Sequence, residues 1–391
     1  MEKSQLKELS IEYLKSYLSI NSYIGCTINC AYFFLAPINI VPMKPIKVMD
    51  EKELVKQTVG NRYFKKDRTV LSLNNRTDPF INAEVSESTY KILKELDDIG
   101  LKNIVTVTTK GLITEDMAKK LAKLKNIRLT IIVTFNGINQ KIQPISPEIQ
   151  KTTMVNVSKY KNIKLLQQCR PIIKDINDNF EILSETVNFA SKYCDATIYQ
   201  GIRVNEAIKE RLEEREYYYT GKQDKHKVKD QKVDEIFNEI EKSFKGKYHI
   251  FDHTSCCISY IFNEKDYNMH YKKRNCNNNC PNYNRCMAKS EKKIDEEIIR
   301  NELNKIGVYD EYELKNDELF VKGTLNDEQR SYIRHVLCLD VKSEKRESTY
   351  SEKIMEGEKK QNECQNSIWF SWYICRFCKC MERNFINYDK W

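Results

Sequence analysis

Between residues 69 and 202, β-branched runs and amphipathic helical patterns alternate about six times, and no other feature restricts the fold as strongly. The strand-like runs are Thr69–Asn74, Asn103–Thr109, Arg128–Thr134, a stretch within Ile163–Ile173, and Ala196–Ile202. Helical patterns cover Asp50–Val59, Ser86–Ile99, Thr114–Leu124, Pro147–Tyr160 and Asn179–Tyr193. Ser86 stands at an N-cap position with Gly100 just past the far end, and Thr114 caps the next helix with Glu115 and Asp116 behind it. Such repeats argue for an α/β fold: a parallel sheet with right-handed crossovers. An open sheet and a barrel both satisfy the pattern, and in both the chemistry belongs at the C-terminal ends of the strands.

The flanking segments divide by composition. Residues 1–17 read as a charged amphipathic helix with Leu6, Leu9, Tyr13 and Leu14 on one side, followed by a strand over Tyr17–Tyr23. With the alternating region these make a core over residues 1–203. A charged helical lid or insertion is expected over 204–248 and a cysteine-rich segment over 249–292. A small α+β module follows over 293–342, with a helix, a hairpin near Glu313–Lys322 and a helix after Asn326. Residues 343–391 form a charged linker and an aromatic, cysteine-rich tail.

Mean hydropathy is −0.64, and 31% of the 391 residues are charged. No apolar run approaches the roughly 18 residues of a membrane span. Residues 1–5 lack an apolar signal core, so a cytoplasmic protein is expected. The net charge of +9 permits contact with phosphates without requiring it. Fourteen cysteines without a secretion signal point to metal binding more than to disulfides.

Eleven of those cysteines fall into three groups. Cys26 and Cys30 lie four apart in a small, polar loop after the first strand, close enough to grip one metal centre. Cys256, Cys257, Cys276, Cys280 and Cys286 fall within thirty-one residues. Cys256 with Cys276, Cys280 and Cys286 supplies four thiolates for zinc or an auxiliary 4Fe–4S cluster. The open Cys-x3-Cys-x5-Cys spacing favours the cluster over a zinc knuckle, while Cys257 points the other way if the segment is a strand. The tail carries Cys364, Cys375, Cys378 and Cys380 among Trp369, Phe370, Trp372, Tyr373 and Phe377. It reads as a docking segment, with a third metal site as the alternative.

The run Cys26-Thr-Ile-Asn-Cys30-Ala-Tyr32-Phe33 resembles the cluster loop of the radical S-adenosylmethionine (SAM) enzymes, whose pattern is Cys-x3-Cys-x2-Cys with an aromatic before the third cysteine. Here the third position holds Phe33. Four further stretches resemble the spore photoproduct lyase-like branch of that family, covering residues 20–203. They are Leu71–Pro79 with Thr77-Asp78-Pro79, Val107–Thr114 with Thr109-Lys110, Thr134-Phe135-Asn136-Gly137, and Cys169–Ile173 with Ile176-Asn177-Asp178.

The resemblance implies a partial, six-stranded parallel β/α barrel. It implies a 4Fe–4S cluster held by Cys26 and Cys30, and SAM contacted by Tyr32, Thr77, Thr109, Lys110, Thr134 and Arg170. It implies reductive cleavage to a 5′-deoxyadenosyl radical that abstracts hydrogen, fed by a reducing donor such as flavodoxin or ferredoxin. The substrate is open among a nucleobase or nucleic acid, a peptide and a small molecule. Phe33 leaves three readings: a ligand from elsewhere, a binding protein without catalysis, or a single substitution in this chain. The rival function is a non-catalytic metal-binding protein that contacts nucleic acid through Lys-rich loops and aromatics.

Overall fold

The computed structural model describes the chain except residues 1–2, 37–42, 221–229, 274–275, 277–278, 289–293, 316–317 and 348–391. The tail cysteines at 364, 375, 378 and 380 therefore lie outside the described residues. Among the described residues no helix is long and apolar enough to cross a membrane.

The N-terminal helix is shorter than its sequence pattern suggests. Helix α1 spans Lys3–Glu8, and Ile11–Leu14 becomes strand β1, paired antiparallel with β2 (Tyr17–Ile20). Tertiary pairing overrides the helical spacing there: Tyr13 is buried, and Glu12 turns inward to an ion pair with Arg76. The two-residue strands β3 (Tyr23–Ile24) and β4 (Ile46–Lys47) pair with each other and tie the base of the cysteine loop.

Helix α2 (Glu51–Val59), capped by Asp50, leads to β5 (Leu71–Leu73). Alternation then runs through α3 (Ala83–Asp98), β6 (Ile104–Thr109), α4 (Glu115–Leu121), β7 (Arg128–Thr134), α5 (Pro147–Ser158), β8 (Lys164–Ile172), α6 (Phe180–Ala190) and β9 (Ala196–Gly201). Helix α3 begins earlier than expected because Asn82, not Ser86, is its cap, accepting the Val85 N–H. Ser86 lies inside the helix and donates to the Asn82 carbonyl. The other caps, Thr114, Ser146 and Asn179, each accept a backbone N–H of the following turn.

Helices α7 (Glu206–Glu213) and α8 (Gln231–Ser243) follow, and the latter leads into β10 (Ile250–Phe251), parallel to β9. Although rich in charge, α8 buries Val233, Phe237 and Ile240 in a core shared with Leu183 and Val187 of α6. The sheet has eight strands in the order β1-β2-β5-β6-β7-β8-β9-β10, and every pairing from β2 to β10 is parallel.

The parallel strands are buried on both faces, as sheets built from crossovers must be. Leu71, Leu73, Val105, Val107, Leu129, Ile131 and Val133 pack against the helices. On the opposite face Val70, Ile104, Ile132, Leu166 and Ile198 are covered by α9 (Thr254–Ile261) through Cys257, Ile258 and Ile261. The segment around Cys256 is thus a helix, and Cys257 turns into the core instead of pointing opposite its neighbour. Short helices α10 (His270–Lys273) and α11 (Tyr283–Met287) complete this region.

The C-terminal module is α12 (Glu296–Lys305), β11 (Tyr312–Lys315), β12 (Glu318–Asn326), α13 (Asp327–Leu337) and β13 (Asp340–Glu347). A capping box at Asn326 and Gln329 starts α13. The module shares one core with Tyr13, Tyr63 and the first strands. The Tyr13 hydroxyl lies 2.9 Å from His335 Nδ1 on α13.

Candidate functional site

The cysteine loop is fixed where β2 ends. Asn74, fully buried and in the left-handed region at φ +50°, accepts from the Ser22 N–H at 2.9 Å and donates to Thr89. Gly25 follows at φ +104°, a conformation that disfavours any side chain, and its N–H donates to the Arg76 carbonyl. From there the loop places Cys26 and Cys30 in one buried cluster with Ile28, against which Tyr32, Phe33, Ile81 and Ile145 pack.

Both thiols are about 5–6% exposed and both are held in the neutral form. Burial, with the Asp78 carboxylate beside it, pushes Cys26 up to about 12. Burial also pushes Cys30 up, against the pull of Lys110, Tyr32 and Arg211. As thiolates the pair would favour a bound cation. A backbone hydrogen bond from Ile28 partly offsets the upward push at Cys26.

Asp78 organises the adjoining strand ends. Its Oδ1 accepts from the Thr109 hydroxyl at 2.7 Å and the Phe80 N–H at 3.0 Å. Its Oδ2 accepts from the N–H groups of Lys110 at 2.6 Å and Gly111 at 3.3 Å. The carboxylate therefore clamps the turn after β5 to the turn after β6. The clamp requires glycine at 111, where a Cβ would meet the Phe80 carbonyl oxygen at 2.5 Å and Asp78 Oδ1 at 2.8 Å.

The residues expected to hold SAM occupy this end of the sheet in different states. Thr77 is buried and its hydroxyl has no hydrogen-bond partner among the described residues. Thr109 is engaged internally, donating to Asp78 and accepting from the Gly111 N–H at 2.8 Å. Thr134 donates to Gln168 at 3.3 Å. Lys110 places its ammonium 5.7 Å from the centre of the Tyr32 ring. The Tyr32 hydroxyl donates to Gln143, and burial with Cys30 nearby pushes it upward. Arg170 lies near Tyr32, Tyr17 and Arg203, and burial lowers the stability of its charge.

Sequence reading missed two contributors. Asp78 was part of a matched motif, but only the turn geometry exposes it as the clamp. Arg211 on α7 donates to Asn29 Oδ1 at 2.6 Å and to the Cys30 carbonyl at 3.1 Å, so part of the 204–248 segment pins the cysteine loop. No signal in the sequence linked Arg211 to residues so far upstream.

The second set of cysteines comes together elsewhere. Cys256 lies within electrostatic range of Cys280 and Cys286, and these of Cys276. His270 and Asp266, which the spacing did not nominate, stand beside Cys256.

No protein-family model matches the chain, and no curated protein is significantly similar to it. A doubly substituted spore photoproduct lyase with bound AdoMet and dinucleoside spore photoproduct aligns over 62% of this chain and 78% of its own, at 11% identity and TM-score 0.49. A spore photoproduct lyase complexed with the same dinucleoside aligns over 64% of this chain and 85% of its own, at 12% identity and TM-score 0.47. Native anSMEcpe with bound AdoMet aligns over 62% and 66%, at 14% identity and TM-score 0.39. Likeness at this level fixes neither a ligand nor an activity.

Proposed function

We propose that the chain is a protein of the radical SAM type, which binds S-adenosylmethionine across the C-terminal ends of β5 to β8 beside an iron–sulfur loop at Cys26 and Cys30. One observation carries the reading: two buried thiols, the Lys110 ammonium and the Asp78 clamp converge at the end of a parallel sheet where such chemistry belongs. In this assignment Lys110 neutralises the methionine carboxylate as a point charge. The open Thr77 hydroxyl binds a polar edge of the cofactor. Arg170 faces either the carboxylate or the substrate, and Thr109 and Thr134 shape the wall.

The donor set meets a four-iron cluster only in part. Phe33 packs on the two cysteines where the family pattern has a third thiolate, and ligand number governs cluster affinity. Hydrogen abstraction is therefore assigned to the scaffold and not to this chain until a third thiolate is supplied. The reducing partner is a small electron carrier such as flavodoxin or ferredoxin, in a reducing cytoplasm. The substrate reading is a nucleobase or nucleic acid, by likeness to the lyase branch.

The test is anaerobic reconstitution of the unaltered chain and of Phe33→Cys with iron and sulfide, with SAM binding measured by calorimetry and 5′-deoxyadenosine by chromatography after reduction. Both proteins are expected to bind SAM, and Phe33→Cys alone to hold a full cluster and release 5′-deoxyadenosine. Lys110→Ala should weaken SAM binding in both. Absence of SAM binding in both proteins, together with no iron in Phe33→Cys, overturns the assignment.

A further inference from the structure

We infer that Cys256, Asp266 and His270 form a zinc site separate from the Cys26–Cys30 loop. The inference is independent of the radical SAM reading. One ligand atom from each of Cys256, Asp266 and His270 lies within 4.8 Å of the others. Cys256 Sγ is 3.9 Å from His270 Nδ1, and Asp266 Oδ2 is 2.8 Å from the same nitrogen. Tetrahedral zinc with ordinary Zn–S and Zn–N bonds separates sulfur and nitrogen by about 3.6 Å. The observed pair needs only a few tenths of an ångström to reach that geometry.

The surroundings are those of a built site. The Asp266 side chain is 1% exposed, and its Oδ2 also accepts the His270 N–H at 2.7 Å, so the carboxylate is aimed and cannot swing to solvent. The Asn282 side chain donates to the Cys256 carbonyl at 3.3 Å and ties the start of α11 to α9.

Donor type selects the metal. An imidazole and a carboxylate beside a thiolate suit zinc, whereas a 4Fe–4S cluster prefers four thiolates. The placement implies a structural role. Among the described residues of 262–282 only the short α10 is helical, and a zinc bond from α9 to α10 holds this segment where hydrophobic burial is sparse.

The test uses the full chain purified without chelator. Zinc and iron are measured by mass spectrometry, and the zinc coordination by X-ray absorption on the unaltered protein. About one zinc per chain is expected, with one sulfur neighbour and nitrogen or oxygen in the other positions. Cys256→Ser and His270→Ala should each lower zinc affinity by at least about tenfold, while Cys276→Ser leaves it unchanged. Four sulfur neighbours, iron that depends on Cys276 but not on His270, or no zinc at all overturns the inference. The absorption measurement decides even if a variant fails to fold.

Discussion

Replacing Asp78 by Asn isolates what joins the two strand-end turns. The side chain keeps its shape and loses its charge and one acceptor. In the native protein each carboxylate oxygen accepts two donors: Thr109 and Phe80 on one, Lys110 and Gly111 on the other. However the amide is turned, its NH2 group faces two donors, so two hydrogen bonds are lost and two weaken. Hydrogen bonds to a buried charge contribute about 1.5 kcal/mol or more each, which places the cost at about 3 kcal/mol. Because the clamp joins two turns, most of this should appear as local opening. Amide hydrogen exchange at Lys110 and Gly111 should then accelerate by about 150-fold, since 1.4 kcal/mol corresponds to tenfold. A smaller fall in the urea midpoint should accompany it. An acceleration of less than about threefold at both amides would refute the clamp, because it corresponds to under about 0.7 kcal/mol.

Two further outcomes test other parts of the fold. Glu12→Gln leaves the Arg76 guanidinium, 2% exposed and with Nε and Nη1 lacking partners among the described residues, as an unpaired buried charge. Urea unfolding should register a loss of about 3–5 kcal/mol, and Glu12→Gln with Arg76→Met should recover much of it. His335 governs part of the acid response: burial, with the Arg334 guanidinium beside it, pushes its imidazole down to about 3. Its folded value lies below the unfolded value of about 6.5, so its contribution is complete above that pH and is lost as pH falls towards 3. Stability should decline by up to about 1.4 kcal/mol per pH unit between about pH 6 and 4, and His335→Gln should flatten that slope in pH-dependent unfolding.

What the sequence revealed depended on whether the deciding interaction was local. Strand β7 and the cap of α4 at Thr114 were legible because β-branched periodicity and a side chain bonding three residues on are short-range properties. Strand β1 was not, because Tyr13 and Glu12 take their places from His335 and Arg76, far away along the chain. In the sequence helix α8 falls in a charged lid or insertion because its three buried residues are spaced among Glu and Lys, and only packing on α6 shows which side counts. The same limit governed the sites. Cys26 and Cys30 announce themselves by spacing, whereas His270 joins Cys256 only after α9 and α10 fold against each other. Thr109 matched a motif as a ligand contact, yet its hydroxyl is engaged by Asp78, a pairing across 31 positions that no local pattern encodes.

Helix α9 covers one face of the sheet through Cys257, Ile258 and Ile261. Cys257 is fully buried there, so a bulkier side chain at that position would lift the helix from the strands and admit water to that face.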